Sequence, residues 1–291
     1  MGLSSVLRIG LSGMSAAENV IRVVADNLAN TQTNGFKQSS VRLASQQPQT
    51  LSLGSAPTAS SGGTNPTQLG SGVTTSGVTT DFSQGTIAVT SDSLDLALQG
   101  DGFLILEGRT GEHLFTRNGS LQRNGANELV TASGDRVLGF GVDENFELDD
   151  TELVPLTIRI GSVAASEDGT AAVLTSFQVD SDGTIHGGFT DGVTRTLGQI
   201  RVARFANSGG LENVGNDHFS AGSNSGLPVQ SSPGSAGAAS ITSGAIELSN
   251  VDVGENLISL ILAENQFRAS RLVFDTGEKL LDTLINLRRK E

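Results

Sequence analysis

Asp180-Ser181-Asp182-Gly183 has the oxygen-rich start of a calcium-binding loop. Such a loop needs about six to eight oxygen ligands and a bidentate Glu near its end. Here Gly187-Gly188 interrupts the run and Asp191 stands where the Glu belongs, so a hairpin turn is the expected reading. His113, His186 and His218 are far apart, and none sits in an HxH or HxxxH spacing that would bring two imidazoles onto one zinc ion. There is no cysteine, which removes thiolate ligands, thiol nucleophiles and disulfides together. No Gly-x-Ser-x-Gly elbow occurs to activate a serine. Gly100-Asp101-Gly102 lacks the dinucleotide fingerprint's spacing and precedes a strand-like run, where the fingerprint opens a helix. Asp149-Asp150 lies in a polar stretch and reads as solvated. The expectation is a protein that is not an enzyme, with no cofactor and no metal.

The elements that would position such residues are unusual for an enzyme. Among 291 residues, 37 are Gly and none is Trp or Tyr. The net charge is −13, with 18 basic residues against 31 acidic ones. Nucleic-acid binding draws its affinity from clustered Lys and Arg that displace counterions. The one basic run, Arg288-Arg289-Lys290, reads as complementing a helix C-terminus. The N-terminal stretch has neither a basic region nor a continuous apolar one, so no cleaved secretory signal is expected. No apolar run reaches the length of a membrane span.

The two ends carry seven-residue repeats. Leu7, Met14, Ile21 and Leu28 form one row near the N-terminus, and Leu3, Gly10, Ala17 and Val24 a second, smaller one. Near the C-terminus Leu260, Phe267, Phe274 and Leu281 repeat in the same way, followed by Ala263, Ser270, Gly277 and Leu284. These are the a and d positions of a coiled-coil seam, in which large side chains of one helix face small ones of the other. Asp252 with Glu255 resembles a capping box and starts the last helix, which runs to the end of the chain, roughly 50 Å.

Between them, short apolar runs bounded by Gly, Asp and Asn read as strands: Phe103-Leu104-Ile105-Leu106, Leu156-Thr157-Ile158-Arg159-Ile160 and Ile200 to Phe205. The fold class expected is α+β, a terminal helical coiled coil with a mainly-β middle. The expected domains are 1–45 with 250–291, then 46–140 with 179–249, and a small inserted excursion at 141–178. Asp143, Glu144, Glu147, Asp149, Asp150 and Glu152 make that excursion acidic and outward-facing.

Three ordered motifs resemble the flagellar axial family of rod and hook subunits: Asp26-Asn27-Leu28-Ala29-Asn30-Thr31 through Asn34-Gly35-Phe36-Lys37; Leu94 to Phe103 with Phe115-Thr116-Arg117-Asn118-Gly119; and Ser243-Gly244-Ala245-Ile246-Glu247-Leu248-Ser249-Asn250-Val251-Asp252. Within them the resemblance marks Asn27, Asn30, Gly35, Phe36, Gly100, Gly102, Phe103, Ser249 and Asn250. Gly62-Gly63-Thr64-Asn65-Pro66 and Asp182-Gly183-Thr184-Ile185 look most like hook subunits. The resemblance implies a subunit made in the cytoplasm and exported unfolded by the flagellar apparatus. It would polymerise with itself into a hollow flexible tube at the hook, carrying torque from rod to filament. Its other partners would be rod, hook-cap and hook–filament junction proteins. A distal rod subunit is the alternative, and a secreted fibre or adhesin is a further one.

Overall fold

The computed structural model describes residues 2–143, 146–165, 171–235 and 237–288. Glu144 of the acidic run and Arg289-Lys290 lie outside the described residues, as do the side chains of Leu3 and Leu284. The chain divides into two units, and each pairs segments from distant parts of the sequence. One comprises Met1–Ala29, Ser39–Asp81 and Asp252–Glu291; the other comprises Asn30–Gln38 and Phe82–Val251.

The first unit is built on two long helices, α1 (Gly2–Ala29, 28 residues) and α2 (Val253–Arg288, 36 residues). At 1.5 Å per residue they span roughly 42 and 54 Å. Asp252 caps α2 by accepting the Glu255 amide at 3.0 Å, as the capping pattern predicts. A two-stranded ribbon, Ser39–Ser45 against Val73–Thr80, packs along α1 and is extended by Gln49–Ser52 against Thr67–Leu69. Asn19 Nδ2 donates to Thr75 Oγ1 at 3.1 Å, and the Val73 amide donates to Ser12 Oγ at 3.3 Å. Residues 46–81 therefore group with the helices, not with the β-rich middle as the sequence suggested. Among the described residues Val73–Thr80 pairs with Ser39–Ser45 and packs on α1, and Gln49–Ser52 pairs with Thr67–Leu69.

The second unit holds an antiparallel sheet of 14 strands among the described residues. Its central strand, Phe103–Glu107, pairs with His113–Thr116, Arg136–Val142 and Val202–Arg204. Alternate side chains of a strand point to opposite faces. Leu104 and Leu106 accordingly enter the main core with Leu98, Val137, Ile185 and Ile200, while Phe103 and Ile105 enter a second core with Phe115, Leu138 and Phe219. Burial on both faces explains why this strand reads as an unbroken apolar run. Asp180–Gly183 is the turn between Ala171–Val179 and Thr184–Phe189, closed by Gly183 N to Asp180 O at 3.0 Å.

The described residues of 141–178 belong to the sheet and do not form a separate excursion. Leu148–Pro155 pairs with Arg136–Val142, and Ala171–Val179 pairs with Thr184–Phe189, so the segment contributes strands to the sheet. Leu156, Ile158, Ala172 and Leu174 are buried in the main core. Leu156 fills the space over two glycines: a Cβ on Gly139 would stand 2.7 Å, and on Gly198 2.9 Å, from its methyl groups. Asp143, Glu147, Asp149, Asp150 and Glu152 are exposed. The acidic run marked the wet side of the strand correctly, but it concealed the apolar residues beyond Pro155 that anchor it. Leu156→Ala should lower the stability of the β unit by about 2–5 kcal/mol, the range for truncating a buried Leu; urea titration of the two proteins measures this.

Candidate functional site

Two constellations carry the residues singled out in the sequence. The first is the helix pair. α1 and α2 run antiparallel: a Cβ added at Gly10 would lie 3.2 Å from the backbone of Ser270 and Phe274, and one at Gly277 would lie 2.9 Å from the Leu7 side chain. The small residues Gly10, Ala17, Ala263 and Gly277, together with Val24, are the buried line of contact. Leu7, Met14, Ile21, Leu28, Leu260, Phe267, Phe274 and Leu281 flank that line and are each half-buried. Large side chains thus stand against small ones across the seam, and the backbones approach closely where glycine permits.

One end of the pair is pinned by two asparagines. Asn27 Nδ2 donates to Asn256 Oδ1 at 3.0 Å and to Ser39 O at 2.8 Å, while its Oδ1 accepts the Ser39 amide at 2.9 Å. Asn256 Nδ2 donates to Asp252 O at 2.8 Å. Both residues are buried. A buried amide pair is satisfied at one alignment only, so it sets helix register, as a polar residue does in a coiled coil. Asn256 lies seven residues before Ala263, in register with the small-residue row, but as a polar residue it was not read as part of the seam.

α2 carries more apolar surface than α1 covers. Ile258, Ile261, Leu262 and Leu272 are all more than half exposed and lie along one flank at helical spacing.

The second constellation lies wholly in the β unit, where all three motifs meet. Lys37 Nζ and Glu247 Oε1 are 2.6 Å apart with neither side chain exposed, and Arg117 Nη1 stands 3.6 Å from Glu247 Oε2. Lys37 also donates to Ser83 O at 2.7 Å, and the Gly85 amide donates to Glu247 Oε1 at 2.8 Å. Arg117 donates to Gly100 O at 2.7 Å, and its guanidinium lies 5.3 Å from the centre of the Phe103 ring. Burial pulls the Arg117 pKa below its ordinary value, with Glu247 and then Asp101 pushing it back.

The remaining marked positions frame this cluster. Gly35 has φ +73°, and a Cβ there would stand 2.7 Å from the Asn118 amide. The Gly35 amide donates to Glu247 O at 2.8 Å, tying the first motif to the third. Asn250 Oδ1 accepts the Gln38 amide at 2.8 Å, and its amide nitrogen lies 3.4 Å from Phe36 O. Thr33 Oγ1 donates to Asn30 Oδ1 at 3.1 Å, and the Val251 amide donates to Ser249 Oγ at 3.3 Å, both closing local turns. Gly100 and Gly102 carry the chain past Ala239 into the strand that begins at Phe103. The motifs named these segments, but the ionic contacts among Lys37, Arg117 and Glu247 went unread. Their one signal was a charge set inside each otherwise apolar or small-residue motif.

Removing one member of a buried ion cluster strands the others, whereas replacing the whole cluster does not. Glu247→Leu should therefore cost the β unit about 3–5 kcal/mol, and adding Lys37→Met and Arg117→Met should restore most of the loss. Chemical denaturation of the single and triple variants checks both. At the seam, Gly277→Leu should lower the melting temperature of the helix pair and leave the β unit's transition unchanged, read by circular dichroism at helical and near-ultraviolet wavelengths.

Among the described residues no helix is long and apolar enough to cross a membrane. Three family models match the chain in order: the flagella basal body rod protein model over residues 7–37, the flagellar hook protein FlgE/F/G D1 domain over 97–187, and the flagellar basal body rod FlgEFG protein C-terminal model over 242–287. The flagellar basal-body rod protein FlgG of Bacillus subtilis is 32% identical over 281 residues, covering 96% of this chain and 97% of the relative. FlgG of Caulobacter vibrioides is 30% identical and covers 97% and 98%. The flagellar hook protein FlgE of Escherichia coli is 36% identical over 115 residues, covering 40% of this chain and 29% of the relative. Matched from end to end by rod proteins, and carrying paired terminal helices around a β-rich middle, the chain belongs to the rod and hook family of flagellar axial structural proteins.

Proposed function

We propose that this chain is a distal rod subunit of the flagellar basal body. The observation that carries the reading is coverage: the rod protein of Bacillus subtilis aligns with 96% of the chain, the hook protein of Escherichia coli with 40%. The hook-like look of 62–66 and 182–185 weighs less than an alignment running the whole length. The use of 141–178 within the sheet points the same way, because it leaves little chain for a separate outer domain.

In this reading the helix pairs of successive subunits line a hollow tube and the β units form its wall. Ile258, Ile261, Leu262 and Leu272 are the surface that further copies cover. A heterologous contact that does not close on itself generates a helical polymer. Leu7, Met14, Ile21, Leu28, Leu260, Phe267, Phe274 and Leu281 hold the two helices of one subunit as a single unit for that packing. The absence of cysteine suits a chain that travels unfolded and folds at the growing tip, since no redox step is needed after export.

Introduced into a strain lacking its own distal rod gene, the gene should restore basal-body rods, and it should not restore hooks in a strain lacking the hook gene; electron microscopy of isolated basal bodies distinguishes the two, and rescue of the hook strain alone would reverse the assignment. Ile261→Asp with Leu262→Asp should abolish polymerisation, because each places a charge in an apolar contact. Both side chains are exposed in the single subunit, so its melting temperature should not change.

A further inference from the structure

The hairpin formed by Glu212–Gly215 and His218–Ser220 closes one end of the large sheet. Its outer strand is exposed throughout. The inner strand is held to His113–Thr116 by two residue pairs, His218 with Thr116 and Phe219 with Phe115. On one face Phe219 packs edge-on against Phe82 at 5.2 Å between ring centres, a contact that does not respond to pH. On the other face His218 is buried, with Nδ1 3.3 Å from Oδ2 of the buried Asp135. Ser133 Oγ donates to the same Oδ2 at 2.6 Å. This pair sits at the wall of a cleft of about 850 Å³ that Arg109, Glu112 and Asp217 also line.

We propose that the His218–Asp135 contact is an acid-released latch, which holds the 212–220 hairpin on the sheet while His218 is neutral and lets it open when His218 takes a second proton. Neutral imidazole sits with Nδ1 3.3 Å from the Asp135 carboxylate, where it carries no charge that water must solvate. An imidazolium at the same place brings a full charge onto a side chain that is itself buried at the cleft wall. Its one close anion already accepts a hydroxyl from Ser133, and the site's other cation, Arg109, donates to Ser133 O at 3.0 Å. Glu112 is occupied locally by the Thr110 amide and hydroxyl. Opening hydrates the charge and gives up few ladder bonds.

The sign follows from burial. Desolvation holds the His218 imidazole below its ordinary value, with Asp135 pulling the other way. The open hairpin therefore binds the proton more readily than the closed one. Closure is at full strength above about pH 6.5, the value for a free histidine, and weakens as pH falls below it. Asp217 has the opposite sign: burial raises its carboxyl, so acid favours closure through that group. The latch and Asp217 can be separated by mutation.

Hydrogen exchange of the 212–220 amides, corrected for intrinsic rates, tests the latch on the full chain between pH 7.5 and 5. In the native protein protection should fall by up to about tenfold per pH unit below 6.5, as release on one proton requires, while the strand Phe103–Glu107 keeps its protection. His218→Asn retains a donor toward Asp135 and cannot charge, so its hairpin should no longer lose protection on acidification, and Asp217 leaves it flat or slightly more protected. Asp217→Asn should keep the acid response. Protection that is flat or rises on acidification in the native protein overturns the latch, as does an unchanged response in His218→Asn. Should that variant fail to fold, the titration of His218 in the native protein by nuclear magnetic resonance decides: a midpoint below 6.5 upholds the proposal, and one at or above 6.5 overturns it.

Discussion

A carboxylate with no exposure to water is tolerable only where cations and donors surround it, and Glu247 is such a group. Lys37, Arg117 and the Gly85 amide supply what water would otherwise provide. These partners come from opposite ends and the middle of the sequence. Segment 30–38, the strands around Phe103 and Phe115, and the run entering α2 are thereby required to meet in one place. A buried ion cluster is weak evidence for stability, because desolvation offsets much of the attraction. What it provides here is a single permitted arrangement: any alternative docking of 30–38 or 244–251 leaves at least one charge buried alone.

The same logic recurs in the helix unit with neutral groups. Glycine at position 10 lets the backbones come together, glycine at 277 makes room for the Leu7 side chain, and the Asn27–Asn256 amide pair chooses the alignment at which they do so. Apolar contact along the seam is non-directional and would accept several registers, whereas two buried amides accept one. The exposed apolar flank of α2 is the counterpart of this economy. Ile258, Ile261, Leu262 and Leu272 lie within the stretch of α2 that α1 faces but off the line of contact, so a lone subunit leaves them exposed.

In the β unit the sheet is organised around a strand buried on both faces, which divides the interior into an aliphatic core and an aromatic one. Phe82, Phe103, Phe115, Phe205 and Phe219 meet edge-to-face, with centroid separations of 4.8–6.0 Å. Edge-to-face geometry places the positive ring edge on the negative face of its neighbour and limits how the rings can slide. Segment 146–165 shows how local composition misleads. Its acidic residues are wet, but Leu156 and Ile158, at the end of the run, are among the most buried residues in the chain.

The sequence by itself determined whatever depends on short range. Heptad spacing marked both helices and their rows of large and small residues. Asp252 marked where α2 begins. Alternation and Asp-Gly turns marked the β-rich middle, and three ordered motifs marked the family. Tertiary structure alone decided the rest, because the rest consists of contacts between residues far apart in the chain. Lys37 and Arg117 became partners of Glu247, Asn27 became the partner of Asn256, and 46–81 joined the helices. Residues 156–158 entered the core because a cleft above Gly139 and Gly198 existed to receive Leu156. Asn256 keeps the heptad register of the small-residue row, but nothing in that spacing names its partner: a charge, an amide or a leucine reads the same in sequence whether it meets water or a partner brought to it by the fold.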